Sequence, residues 1–503
     1  MNNQPALGSV LKLFALLFSN QWIAQWQAEQ ERTQRAAAQK GSGGQGYHHR
    51  SKKSRKNKKK TDKKRSPSRG FYARIFSLRV VLWYLIFQRL NFDPSMAAVV
   101  RDLRRGGADR LSRRAGKLSK KIKSAHTSGY NQARQRMPLA LLQAAFACLG
   151  QQILWMAGLT PELSKKPGPQ QRERQLLDGS TLRMLATPKL KKAFRPARVR
   201  SGESDWCLMR ILVGFCTRTG AILSIEERDH KVSEQTMAWA VMEMARAFII
   251  WIADRNFGVW SVVAQAVRCR QDAVVRLTKA RAGKLAGGRA LRSGEDRPVQ
   301  WHPSRHDQSA PGTERKPIAG RLLYVRLQRG GGWIDLWLFT TLDAAGYSLE
   351  LLVRWYGQRW QAELHFRSVK TQMRLAQLDV CSPEMARKEL YGALLGHNLV
   401  RAVMWAAGER LENGVQTLSF NNARRVVLDW LLDWAGAVGQ GTGTNQRWIQ
   451  SLLEEIKQQK LPKRKKPRPS QVRMVRSCAT KWPTLRGSRA AVQKRYEKRA
   501  KSL

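Results

Sequence analysis

The chain has 503 residues and a formal net charge of +56 at pH 7, from 92 Lys and Arg against 36 Asp and Glu. Self-repulsion on that scale calls for a polyanionic partner, nucleic acid before membrane, and argues against a small acidic-substrate enzyme. Hydrophobic residues make up 42%, with 18 Trp among them, which excludes a wholly disordered chain. At roughly 150 residues per domain, length alone suggests about three domains.

No stretch approaches the ~18 apolar residues of a transmembrane helix. The N-terminal apolar stretch is interrupted by Lys12 and lacks a basic leader, which argues against a signal peptide. The cysteines (Cys148, Cys207, Cys216, Cys269, Cys381 and Cys478) form no CxxC pair. That usage fits the reducing cytoplasm, with no disulfide framework and no cysteine zinc site. His302 and His306 stand four apart with Pro303 between them, so they read as loop histidines rather than a metal pair.

In chain order, residues 1–70 read as a disordered basic arm: a short amphipathic stretch, then glycines, then Lys/Arg-dense sequence with Asp62 the one acid in 50–69. Such an arm either binds phosphates or only solubilises. Residues 71–165 show helical periodicity with Arg101, Arg104, Arg105, Arg113, Arg114, Lys120 and Lys121 on polar positions, a basic helical DNA-binding domain. The period changes after residue 165. Strands are expected at 176–184, 207–215 and 222–225, a helix at 237–245, a doubly buried strand at 248–253, a helix at 259–268 and a strand at 273–277. Segment 166–278 is therefore the first part of an α/β core. Residues 279–345 interrupt it, with a Gly/Lys/Arg-rich loop at 283–294 and alternating strands at 322–327 and 334–340, a β-rich insertion. One long helix is expected at 348–376 and another at 384–410, so 346–400 completes the core. A helical C-terminal region (401–460) and a basic, Pro-containing tail (461–503) follow.

In so basic a chain, an acid in apolar surroundings stands out. Asp254 closes the run 248–253, at the strand edge where open α/β sheets gather ligands. Asp178 lies on the first core strand. At ~100° per residue, Tyr356, Arg359, Glu363 and Lys370 share an arc of roughly 60° of one helix. Carboxylates from separate elements suit two-metal phosphoryl transfer, with two Mg²⁺ about 4 Å apart. Neighbouring cations would hold phosphates. Structural salt bridges are the competing explanation, and Glu226, Glu227 and Asp229 are rivals for the second acid.

The segment from Tyr356 to Lys370 resembles the Y-x2-R-x3-E-x6-K signature of bacterial DDE insertion-sequence transposases that excise through DNA hairpins. The sequence around Asp178 (Leu177-Asp178-Gly179-Ser180-Thr181) is similar to that family's first-aspartate motif. Asp254-Arg255-Asn256-Phe257 is similar to its second, usually D-R-G-F. The resemblance covers roughly residues 70 to 410. It implies a ribonuclease-H-like mixed-sheet catalytic core split by the β-rich insertion and flanked by helical N- and C-terminal regions.

It further implies that Asp178, Asp254 and Glu363 are catalytic and bind two Mg²⁺, with Mn²⁺ as a substitute. Tyr356, Arg359 and Lys370 are expected to contact DNA phosphates. A tryptophan of the insertion is expected to stack on a flipped base, a contact worth ~1–3 kcal/mol. Trp301 is the candidate, with Trp333 and Trp337 as rivals. The implied activity is cut-and-paste transposition: hydrolysis at the element end, hairpin formation and resolution, then strand transfer into target DNA. A homodimer holding two ends is the implied assembly, with no membrane partner. The alternative is a catalytically silent, domesticated nucleic-acid-binding protein. A third reading, an RNA-directed nuclease of ribonuclease-H type, is not favoured by Tyr356, Arg359 and Lys370. Asn256 in place of Gly departs from the pattern, although Asn tolerates the backbone conformations that Gly allows.

Overall fold

Serine caps and apolar faces organise the N-terminal helices. The structure, a computed structural model, describes residues 20–41, 75–111, 117–159, 168–169, 171–199, 202–329, 332–409, 411, 414–437, 442–462 and 488–500. Much of the expected basic arm (1–19 and 42–70) and of the expected basic tail (463–487 and 501–503) lies outside these residues. Within the arm, α1 (Asn20–Gly41) is a helix. The expectation of disorder does not hold there, because Ile23 is buried and Trp22 and Trp26 pack against the main core.

Helix α2 (Leu78–Leu90) is mostly apolar and buried throughout, Arg79, Gln88 and Arg89 included, with Ser77 accepting from the Val80 amide as its cap. Helices α3 (Met96–Arg105), α4 (Ser128–Arg136) and α5 (Leu139–Met156) complete the group. By length and composition α5 could cross a membrane, against the expectation that no segment approaches this. Its Leu141, Leu142, Ala145, Leu149 and Ile153 are instead buried in the core.

A mixed sheet follows. Strand β1 (Arg174–Leu185) leads through α6 (Pro188–Ala193) to β2 (Pro196–Val199), β3 (Gly202–Cys216) and β4 (Ile222–Asp229). Next come α7 (Glu234–Met244), β5 (Ile250–Ala253), α8 (Trp260–Arg268) and β6 (Asp272–Arg276). Strand β3 runs antiparallel to β1 and β4, whereas β5 is parallel to both β1 and β6. Side chains alternate between two cores. Leu176, Ile250, Ile252 and Val274 face the helices at the chain ends, and Leu177, Trp251, Ala253 and Val275 face α7 and α8.

The expected insertion contains α9 (Lys279–Leu285), β7 (Glu295–Trp301), β8 (Ile318–Arg329) and β9 (Gly332–Thr340). Strand β9 pairs antiparallel with β6, so these strands extend the core sheet. Strand β7 escapes sequence reading because Pro298 argues against a strand, but among the described residues β7 pairs with β8 alone, and an edge position tolerates a missing amide. The single long helix expected at 348–376 is in fact broken. Helix α10 (Leu349–Gly357) ends in a tight turn, with the Gln358 and Arg359 amides bonding three residues back, before α11 (Trp360–Arg367) begins. A π-helical turn, Ser368–Gln372, follows α11.

Short strand β10 (Gln377–Leu378) joins β1, and α12 (Pro383–Gly408) then passes through the core against α2 and α5. Helices α13 (Phe420–Ala437) and α14 (Thr442–Gln458) pack on α12, and α15 (Arg489–Ala500) lies in the expected tail. The architecture is a mixed α/β sheet with helical flanks.

Candidate active site

Strand β5 accompanies β1 only as far as Leu177, opposite Ala253, and β10 joins the same edge from Arg183. Between them residues 178–182 open a cleft on the edge of β1. Asp178 and Asp254 are the next residues along the two parallel strands, so the register sets them side by side at this opening. Each is held by local backbone. The Gly179 amide donates to Asp178 Oδ1 at 2.9 Å, and the Asn256 amide to Asp254 Oδ1 at 2.8 Å.

Burial pushes the Asp178 carboxyl up to about 6. The neighbouring Asp254 and Glu234 charges act in the same direction, and the Gly179 amide and Arg359 oppose them.

The broken helix supplies the other side. Arg359 sits at the turn between α10 and α11, close enough to Asp178 to lower its pKa, and its Nη2 lies 3.6 Å from Glu363 Oε1. Lys370, on the π-helical turn, donates to Ser180 Oγ at 3.1 Å and so ties that turn to β1. Turns of this type recur at functional sites. Tyr356 is buried, and burial raises its phenol above the ordinary value, with Arg359, Arg276 and Asp254 nearby.

Helix α11 is anchored from behind. His365 points inward and accepts from Arg401 Nη2 at 2.8 Å. Burial first, then the Arg401 charge, holds its pKa well below the usual histidine range, which keeps it a neutral acceptor.

Residues 169–399 match the family described as the transposase DDE domain.

A stretch of 132 residues is 32% identical to the transposase InsG for insertion sequence element IS4 of Escherichia coli strain K12, covering 26% of this chain and 29% of that relative. The chain thus spans under a third of the length of the curated relative it matches. A piggyBac transposase synaptic complex with hairpin DNA covers 89% of this chain and 85% of its own, at 11% identity and a TM-score of 0.36, a likeness too slight to carry an argument.

Within the matched segment the structure brings Asp178, Asp254, Tyr356, Arg359 and Lys370 to one cleft, with Glu363 linked to it through Arg359. The expected three-carboxylate metal set is not assembled: among the described residues no three His, Cys, Asp or Glu side chains converge closely enough to hold an ion. Glu363 is exposed and turned toward Arg359. The rival acids sit on β4, beyond β3. Glu226 pairs with Arg228, Glu227 with Arg387 and Asp229 with Arg195.

Trp301 does not present a face to ligand. It is 8% exposed and packs edge-on against Phe339 in the core behind the sheet. Of its rivals, Trp337 stacks on Tyr324, whereas Trp333 is 60% exposed with Arg326 over its ring. Sequence reasoning missed three neighbours of the acids: Ser180, Glu234 and Trp360. Trp360 is 49% exposed, beside Arg359 on the helix that carries Glu363. Its position next to the signature residues is the one signal that could have singled it out.

Proposed function

We propose that this chain is a DDE transposase that cuts and joins the ends of an insertion sequence. The observation that carries the reading is the pairing of Asp178 and Asp254 at adjacent parallel strand ends, with Arg359 at the turn before α11 and Glu363 on α11 alongside. The order β4-β3-β1-β5-β6, an antiparallel meander followed by two parallel strands, supports a ribonuclease-H-like core extended by the insertion.

The two aspartates suit hard divalent cations, and Glu363 would join them only on leaving Arg359. Carboxylate oxygens are the preferred ligands of Mg²⁺, and like charges crowd at Asp178. Asp178, Asp254 and Glu363 would hold the ions, Mg²⁺ with Mn²⁺ as substitute. Two such ions supply Lewis-acid stabilisation of an in-line phosphoryl displacement.

The chain's own side chains do the positioning. Arg359, by exchanging Glu363 for a DNA phosphate in a bidentate contact, frees that carboxylate to face Asp178. Lys370, held toward β1 by Ser180, offers a point charge to a flanking phosphate. Tyr356 contributes a neutral phenol at the cleft wall. The same centre serves end hydrolysis, hairpin formation and resolution, and strand transfer, and a homodimer holds the two ends. The basic N-terminal helices and C-terminal region bind DNA, with salt-sensitive affinity.

Incubating the full chain with Mg²⁺ and the DNA that brackets its own coding sequence tests this reading. Breaks with 3′-hydroxyl termini are expected at the terminal inverted repeats, abolished by a chelator. Binding without cutting in either Mg²⁺ or Mn²⁺ would instead favour the silent DNA-binding protein.

Trp360→Ala is expected to weaken binding of such ends by about 5- to 150-fold, the equivalent of ~1–3 kcal/mol for a lost base stack, with an unchanged melting temperature. Trp301→Ala should instead lower stability by about 3–5 kcal/mol, the cost of emptying a core tryptophan site. Filter binding and thermal melts separate the two, and an unchanged affinity in Trp360→Ala would remove that residue from base stacking.

A further inference from the structure

Glu234 stands apart from the acids that resemblance singles out, yet it touches the backbone that carries both aspartates. It opens α7, one residue after the cap Ser233, whose side chain accepts from the Thr236 amide. Met237, Ala238, Val241 and Met242 fix this helix in the core on the face of the sheet shared by Leu177. Gly179 is on that face too, two residues on from Leu177. A Cβ at residue 179 would collide with Glu234 Oε1, so Gly here permits a close approach between carboxylate and strand. Asp178 and Asp254, by the same alternation, point to the opposite face, with Leu176 and Ile252. Glu234 is therefore behind the cleft rather than in it.

The first turn of α7 also grips the loop that follows Asp254. Glu234 Oε2 accepts from Asn256 Nδ2 at 2.8 Å, and Gln235 Nε2 donates to the Asn256 carbonyl at 2.8 Å. The Asn256 amide in turn donates to Asp254 Oδ1. Glu234 thus packs closely against the Gly179 backbone, and a short chain of hydrogen bonds runs from its carboxylate through Asn256 to the second aspartate. Asn256 is also the position where this sequence departs from D-R-G-F. Glycine there would have no side chain to bond, so the link to Glu234 depends on the Asn256 side-chain amide.

We infer that Glu234 is a positioning residue that sets the separation and orientation of the Asp178–Asp254 pair through Gly179 and Asn256. The inference rests on the reading of those aspartates as cation ligands. Outer partners of metal ligands, when removed, cost about 10–100-fold in affinity.

Mn²⁺ binding to the full chain, measured by calorimetry, tests it without any DNA substrate. Glu234→Ala and Asn256→Gly are each expected to weaken Mn²⁺ binding about tenfold. The double variant should bind no more weakly than the weaker single, because both remove the same link. Glu234→Gln keeps an oxygen to accept from Asn256 and should stay within about threefold of the parent, since a retained partner preserves the orientation. An unchanged affinity in Glu234→Ala would overturn the inference. So would Glu234→Gln losing as much as Glu234→Ala, which is the signature of a ligand or a charge effect, or losses that add in the double variant. Asp178→Asn separates this from the underlying reading. If that variant binds Mn²⁺ like the parent, the cation site itself is wrong and the inference falls with it. If it loses binding while Glu234→Ala does not, only the role of Glu234 is overturned.

Discussion

Asp178→Asn is expected to lose DNA cleavage by on the order of 10³-fold or more, and at pH 7.5 to melt at a higher temperature than the parent chain. The first effect follows from the several kcal/mol of transition-state stabilisation that cations at the acids would supply on the proposed reading, at ~1.36 kcal/mol per tenfold in rate. The second follows from the cost of holding Asp178 ionised in the cleft. Burial, with Asp254 and Glu234 beside it, raises its carboxyl from 3.8 to about 6. A group raised on folding favours the folded state below its unfolded pKa, and that contribution is lost as pH climbs through the folded value. Above pH 6 the ionised side chain therefore opposes folding by about 2–3 kcal/mol, and asparagine removes the charge while keeping the shape.

Melts at pH 7.5 and near pH 4 check the sign: the variant should gain at the higher pH, and the gap should close at the lower. Adding Mg²⁺ should stabilise the parent and not the variant, because only a chain that binds the ion gains from mass action. Full cleavage in Asp178→Asn would remove that residue from the chemistry. A variant that melts lower at pH 7.5 would mean that the carboxylate is chiefly a structural acceptor.

What the sequence discloses of this site, and what it hides, divides along contact distance. The apolar run ending at Asp254 announces a strand buried on both faces, and β5 is that strand, four residues long and fully buried. The spacing of Tyr356, Arg359, Glu363 and Lys370 singles out the right helix region but implies one continuous cylinder. The turn at Gln358 and the π-helical turn after Arg367 break that cylinder, so the shared arc is not what unites the four. Tertiary contacts unite them instead, Lys370 with Ser180, Arg359 with Asp178 and Glu363 through Arg359, and no one-dimensional period encodes those. Glu234 is hidden for a related reason. An acid in the first turn of a capped helix is what the helix dipole favours anyway, so nothing local marks it. Trp301 and Trp360 are equally plausible as letters. One is interior because β7 closes over Phe339, and the other is exposed because α11 buries its opposite face.

Glu389→Ala is expected to cost about 3–5 kcal/mol of stability, the largest single-residue loss in the helical region. Glu389 is on α12 and is almost wholly buried, and each of its oxygens accepts from a different guanidinium: Arg89 at the end of α2 and Arg134 on α4. Burial alone would raise its carboxyl, but the two arginines outweigh burial and hold it below the ordinary value. Its contribution is thus present at neutral pH and lost as pH falls through the lowered folded value. Alanine leaves two cations out of water with no counterion among the described residues. Arg89 retains a long bond to the Arg374 carbonyl there, and Arg134 the face of Tyr130.

Desolvation, rather than lost attraction, should dominate that cost. If so, replacing all three residues together with Met or Leu should recover most of the stability, since apolar groups of similar volume need no partner. Urea midpoints for the single and triple variants decide between the two. A triple variant as unstable as Glu389→Ala would mean that the ion triad itself holds α2 and α4 onto α12. Helix α12 also carries Arg401, which braces His365 behind Glu363. Loosening its far end should therefore reach the cleft, and the single variant should cleave DNA more slowly even at temperatures where it remains folded.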